Sequence, residues 1–104
     1  MGHICSSLEE VREHIDRTDD GIIRLIAERS GYVRQAAAFK KDTASVKAPA
    51  RVEAVIQRIR EKAQRYGLSQ DIAEKIYRQM ISCFIEMETD VFTDKQNENH
   101  CQEE

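Results

Sequence analysis

Apolar residues recur every three or four positions over the first third of the chain, close to a heptad repeat. The positions with this spacing are Leu8, Val11, Ile15, Ile22, Leu25, Tyr32, Ala36 and Phe39. We call these positions the apolar stripe. Thr18 and Arg29 occupy its two remaining slots. Because this period puts side chains on one side of an α-helix, the pattern predicts one long first helix over residues 7–41.

The segment T-D-D-G at 18–21 offers an alternative, since it could form a turn that splits this stretch into two helices. The heptad phase continues unbroken through Gly21, whereas a turn would normally reset it. One interior glycine costs only about 1 kcal/mol relative to alanine. We therefore predict a continuous helix of about 50 Å, more than one small domain can cover, and we expect a second chain to cover the excess.

The rest of the sequence predicts two further helices and an all-α fold, because strand-type alternation is absent. Pro49 suits the first turn of a second helix, Gly67 would end it, and Ser69 would cap a third. The predicted organisation is a frayed start at 1–6, one helical domain at 7–92 with helices at 7–41, 49–66 and 69–92, and a polar, disordered tail at 93–104.

Size and charge limit the partners that this chain can have. A domain of 104 residues buries only about 60–65% of its unfolded surface, which again favours association into an oligomer. The net charge of −3 and the pI of 5.6 argue against a nucleic-acid surface and a polybasic membrane anchor. No window approaches the roughly 20 apolar residues that span a membrane.

The cysteines and histidines give only weak indications of chemistry. The chain has an odd number of cysteines (Cys5, Cys83 and Cys101) without metal-type spacing, and no N-terminal apolar run of signal length precedes Leu8, so we expect a reducing cytoplasm. His3 with Cys5 and His100 with Cys101 would bind a metal only if the two ends met. We expect no metal and no cofactor. No nucleophile-and-base motif is present, so any chemistry should work by positioning and electrostatics.

Three cations lack the nearby carboxylate that a helical cation usually has three or four positions away. They are Arg29, Lys40 and Arg51. Arg34, Arg60 and Lys62 also lack one, but unlike Arg29 they do not lie on an apolar stripe. Arg29 and Lys40 are 11 residues apart, so on a helix they share a face about 16 Å apart.

A buried cation without a partner is too costly to keep, so we expect Arg29 to meet either an anionic ligand or a carboxylate of another subunit. The second alternative, a polar residue that fixes the register of a coiled coil, remains open. Arg12 lies 17 residues before Arg29, about 25 Å away on a helix. The two could reach one small ligand only if Arg12 came from a second, antiparallel chain; otherwise Arg12 forms a surface ion pair with Glu9 or Asp16.

Glu88 has only apolar residues three and four positions away, which are Phe84, Ile85, Val91 and Phe92. It is therefore either a solvated residue at the edge of the apolar surface or a desolvated carboxyl with a raised pKa. The pattern alone favours the edge position.

Four motifs together resemble the all-helical chorismate mutase family, which includes an isochorismate-pyruvate lyase branch. They are R-x-x-I-D-R-x-D at 12–19, the Arg29 to Lys40 spacing, A-P-x-R-V at 48–52, and G-L at 67–68. The resemblance covers about residues 8–92. It implies an intertwined homodimer of three-helix chains with two active sites, each completed by an arginine from the partner's first helix.

The resemblance also implies roles for individual residues. Arg12 from the partner chain and Arg29 would bind the two carboxylates of the substrate, and Lys40 would donate to its ether oxygen. Arg51 would line the site, and residues 41–48 would form a lid. The reaction implied is the rearrangement of chorismate to prephenate, without a cofactor or metal.

Two positions depart from the pattern of many family members. Glu88 stands where a glutamine often donates to the ether oxygen, and a carboxyl can donate only when it is protonated. Val52 stands where some mutases place a glutamate that contacts the substrate hydroxyl, and the lyase branch is also apolar there. We favour chorismate mutase, with isochorismate-pyruvate lyase second and a non-catalytic helical dimerisation module third.

Overall fold

The computed structural model describes residues 4–39 and 48–103, which form three α-helices and no strand. These are α1 (Leu8–Ala37), α2 (Pro49–Tyr66) and α3 (Gln70–Glu103). The predicted all-α class is confirmed, and α1 runs through Gly21 without a break. Within these residues, no helix combines the length and the apolar character needed to cross a membrane. Lys40 and the predicted lid up to residue 47 lie outside the described residues.

The start of α1 is fixed by hydrogen bonds from two serines. The Ser7 hydroxyl oxygen accepts the backbone N–H of Glu10 at 3.1 Å. The Glu10 carboxylate in turn accepts from the Ser6 backbone N–H at 3.0 Å and from the Ser6 hydroxyl at 2.8 Å. Ser7 is therefore the N-cap of α1, and Glu10 accepts from the residue before it, an arrangement similar to a capping box.

The turn between α2 and α3 follows from one glycine and one serine. Gly67 has φ 76° and ψ 23°, a left-handed conformation. Glycine adopts it without a steric penalty because it has no Cβ. The N–H groups of Gly67 and Leu68 bond to the carbonyls of Gln64 and Ala63, which closes α2. The Ser69 hydroxyl then accepts the N–H of Ile72 at 3.3 Å and caps α3, as predicted.

Helices α2 and α3 pack against each other as an antiparallel hairpin. Among the described residues, its buried apolar side chains are Ile56 and Ala63 on α2, and Ala73 and Ile81 on α3. The small alanines let the two backbones approach, while the isoleucines fill the space between them. This hairpin, together with the end of α1 from Val33 onward, forms one compact unit, and the residues up to Tyr32 form another.

Two arginines join α2 to α3 through three carboxylates. Arg60 contacts Asp71 at 3.1 Å and Glu74 at 2.8 Å. Arg78 contacts Glu74 at 2.8 Å and holds Glu53 through two bonds of 2.8 Å. Along α2 the bonded residues run from Glu53 to Arg60, whereas their partners on α3 run from Arg78 back to Asp71. This opposite order shows that the two helices are antiparallel. The carboxylates that pair with Arg60 lie on the other helix, so they are not among the residues three or four positions away from it in the sequence.

The structure differs from the prediction at the C-terminal end. We expected the third helix to end at residue 92 and a disordered tail to follow, whereas α3 continues to Glu103. Residues 93–103 contain neither proline nor glycine, so no residue type there forces a helix to stop. Polarity led to the wrong end point, since a polar sequence does not by itself exclude a helix.

Side chains of the stripe on α1 are largely exposed. Leu8 is 61% exposed, Ile15 51% and Leu25 60%. Thr18 occupies one polar slot of the stripe and donates its hydroxyl to the His14 carbonyl at 2.7 Å, so its polar group is satisfied within the helix. An apolar surface of this length indicates contact with another protein surface.

The ion pairs of the hairpin predict a pH dependence of stability. Hydrogen bonds from Arg78 lower the pKa of Glu53 and Glu74 below their ordinary value of 4.5, and Arg60 adds to the effect on Glu74. A carboxylate with a lowered pKa stabilises the fold above its unfolded pKa and loses that contribution as the pH falls through the folded value. The free energy of unfolding should therefore decrease below about pH 4.5, and less steeply in Arg78→Met.

Urea denaturation followed by circular dichroism at several pH values between 3 and 7, at one protein concentration, measures this slope. Arg58→Met removes an exposed arginine from the same hairpin and serves as the matched control. Equal slopes for the two variants would contradict the assignment.

Candidate functional site

Five of the six predicted site residues lie within the described part of the chain. Arg12 is exposed and Arg29 half-buried on α1, Arg51 is exposed and Val52 half-buried in the first turn of α2, and Glu88 is buried on α3. Lys40, three residues after the end of α1, lies outside it. The roles of all six remain predictions.

Arg12 and Arg29 belong to one continuous helix and lie in the same compact unit. Their separation of 17 residues corresponds to about 25 Å along the axis. One small molecule is far shorter than this distance. Both arginines can therefore hold the same small ligand only if they come from two different chains, as the sequence analysis required.

The hairpin places Arg51 and Glu88 toward the same end, remote from the turn at Gly67. Glu53 on α2 lies opposite Arg78 on α3, and Arg51 is two residues before Glu53. Glu88 follows Arg78 by ten residues, about 15 Å further along α3. Helix α3 therefore extends past the start of α2 and carries Glu88 beyond the ion pairs.

Glu88 is 9% exposed, and its neighbours Glu86 and Asp90 are exposed. The favoured prediction of a solvated edge residue is therefore wrong, and the alternative of a desolvated carboxyl is the one that fits. Removing hydration costs a carboxyl more in its charged form than in its neutral form. A buried carboxyl in its neutral form can donate a hydrogen bond, which the charged form cannot do.

A second group of polar side chains lies at the start of α1, and the sequence analysis did not find it. Ligand atoms of Cys5, Glu10 and His14 all lie within 4.8 Å of one another, and all three residues are half-buried. The signal was present in the sequence, because Glu10 and His14 are four apart on one helix face and Cys5 lies just before the helix. The pairing of Cys5 with His3 that the sequence suggests involves a residue outside the described part of the chain.

The sequence of this chain is similar to those of known proteins. A family model described as chorismate mutase type II matches residues 11–89. An isochorismate pyruvate lyase from Pseudomonas aeruginosa is 35% identical over 81 residues, which cover 78% of this chain and 80% of the lyase. A chorismate mutase from Methanocaldococcus jannaschii is 28% identical over 97 residues, which cover 92% of this chain and 98% of that mutase.

Proposed function

The chain belongs to the chorismate mutase type II family, and from this premise we propose that its candidate residues form a site that rearranges chorismate to prephenate. The resemblance predicted from the sequence is thereby confirmed. The observation that carries the proposal is the extent of the family match. Residues 11–89 include Arg12, Arg29, Lys40, Arg51, Val52 and Glu88.

Cations supply the binding energy and the catalysis in this proposal. Arg29 and Arg12 from a second chain bind the two carboxylates, which holds the substrate in the compact form that reacts. During the rearrangement one C–O bond breaks as a C–C bond forms, and negative charge grows on the ether oxygen. Lys40 donates to that oxygen and stabilises the transition state more than the ground state. No group needs to gain or lose a proton permanently.

Glu88 acts as a second donor to the ether oxygen, and it acts in its protonated form. The support is its burial on the part of α3 that extends past the start of α2. Arg51 lines the same end of the hairpin. Val52, half-buried beside it, offers no hydrogen bond to a substrate hydroxyl.

Isochorismate-pyruvate lyase activity is the second candidate. The 35% identity to a protein of that name favours it, and so do the A-P-x-R-V segment and the apolar Val52. Both reactions act on a dicarboxylate and break an ether bond to an enolpyruvyl group. The same cations could therefore serve either one, and the products decide between them.

Purified chain should be offered chorismate and isochorismate separately, with prephenate, salicylate and pyruvate measured. We expect prephenate from chorismate, and we expect Lys40→Ala to lower kcat by about 10²–10³, the usual cost of one donor to a developing oxyanion. Its matched control is Lys62→Ala, because Lys62 also lacks a carboxylate three or four residues away and is exposed on α2.

Salicylate and pyruvate from isochorismate, without prephenate from chorismate, would move the assignment to the lyase. A transition-state analogue should also raise the melting temperature of the folded protein. No turnover and no shift in melting temperature would indicate a non-catalytic dimerisation module.

The protonated role of Glu88 predicts a pH profile. Mutase activity should fall as the pH rises through the pKa of Glu88, because the charged carboxylate cannot donate. Glu88→Gln keeps a donor at every pH, so its activity should persist to higher pH. The measurement is kcat from pH 5 to 9 for both proteins, with Glu86→Gln as a control on an exposed carboxylate of the same helix. An unchanged profile in Glu88→Gln would refute the role.

The stripe on α1 predicts a homodimer in which a second copy covers it and supplies Arg12. Sedimentation equilibrium should give twice the 12.0 kDa of one chain. Leu25→Glu, 60% exposed on the stripe, should dissociate the dimer and reduce activity. Ile23→Glu is the matched control, since Ile23 is 65% exposed but lies off the stripe. A monomeric wild-type chain with full activity would contradict the intersubunit site.

A further inference from the structure

We propose that Cys5, Glu10 and His14 form a Zn²⁺ site at the start of α1, distinct from the proposed mutase site. Their thiol, carboxylate and imidazole ligand atoms lie within 4.8 Å of one another. In a tetrahedral zinc site, bond lengths of about 2.0–2.3 Å put neighbouring ligand atoms roughly 3.3–3.8 Å apart. Side-chain rotations that move these atoms by about 1 Å complete the site.

The backbone already holds the three residues in the required order. Glu10 and His14 are one turn apart on α1, so both side chains lie on the same face. Cys5 belongs to the short segment before the helix, and the capping interactions of Ser6 and Ser7 hold that segment against the first turn. Three residues that are local in sequence thus converge without any contribution from the rest of the fold.

Hydrogen bonds orient the Glu10 carboxylate. Both bonds from Ser6 go to Oε2, and they fix the plane of the carboxylate group. A carboxylate has about four lone-pair positions over its two oxygens, so it can accept both bonds from Ser6 and also bind a metal. Hydrogen bonds of this kind hold metal-binding carboxylates in place in known sites.

Arg17 is the group that opposes metal binding. Its Nη2 lies 3.3 Å from Nδ1 of His14. The guanidinium has only N–H donors, so Nδ1 accepts, and the proton of neutral His14 lies on Nε2. A metal at Nδ1 displaces Arg17 directly. A metal at Nε2 moves the proton to Nδ1, which also ends the bond. Zn²⁺ binding therefore releases Arg17 in either case.

The chemistry of the donors indicates zinc. A thiolate and an imidazole are ligands that Zn²⁺ prefers, and a carboxylate is the third common type. Three protein ligands leave one tetrahedral position for water. Cys5 and His14 line a cleft of about 450 Å³ that also includes the stripe residues Val11, Ile15 and Thr18, so water reaches the metal in the single chain.

The test is a titration of the full-length chain, reduced and freed of metal, with Co²⁺ as the spectroscopic probe. One equivalent should produce a thiolate-to-cobalt charge-transfer band in the near ultraviolet together with tetrahedral visible bands, and Zn²⁺ should displace it. Cys5→Ser should abolish the band, and Glu10→Gln and His14→Gln should weaken Zn²⁺ binding by about tenfold or more. Arg17→Gln should strengthen it.

Cys83→Ser and Cys101→Ser are the matched controls, since each removes a thiol elsewhere in the chain. Both should keep the charge-transfer band. Protection of Cys5 from alkylation by Zn²⁺ in the wild-type chain provides a second readout that needs no variant. A band that survives in Cys5→Ser, or no band and no protection with excess metal, overturns the proposal.

Discussion

The apolar stripe along α1 is the constraint on which the rest of the molecule depends. A helix of 30 residues with apolar side chains on one face must cover that face, and here several of those side chains remain more than half exposed. The hydrophobic effect then favours association over solvation. In the proposed homodimer, a second copy would cover the stripe and supply the Arg12 that shares a site with Arg29, since 17 residues separate the two within one chain. In that proposal, assembly and substrate binding depend on the same surface.

The hairpin of α2 and α3 is held together by a small apolar core and by ion pairs. Its buried core is small, with two isoleucines and two alanines, and two arginines bridge three carboxylates along its surface. Exposed ion pairs contribute little individually, but a network with shared partners fixes the register of two helices. That register decides how far α3 projects beyond α2, and so where Glu88 lies.

Local signals in the sequence were sufficient for most of the secondary structure. Pro49, Gly67 and Ser69 lie at helix ends as predicted, because capping depends on residues only a few positions apart. Continuity through Gly21 was predictable because the heptad phase does not break there. The partners of Arg60 and the burial of Glu88 were not predictable in this way. Both depend on contacts with side chains that are distant in the sequence. The pattern along one helix contains no information about such contacts.

Helix α3 extends past the start of α2, and this extension places Glu88 away from the ion pairs that join the two helices. The ion pairs of the hairpin end at Arg78, and Glu88 is ten residues further along the same helix. In the proposed site, a substitution at 88 would change the donor offered to a substrate without replacing any residue of the hairpin ion pairs. The proposed chemistry at this position could therefore vary while the ion pairs that join the two helices are kept.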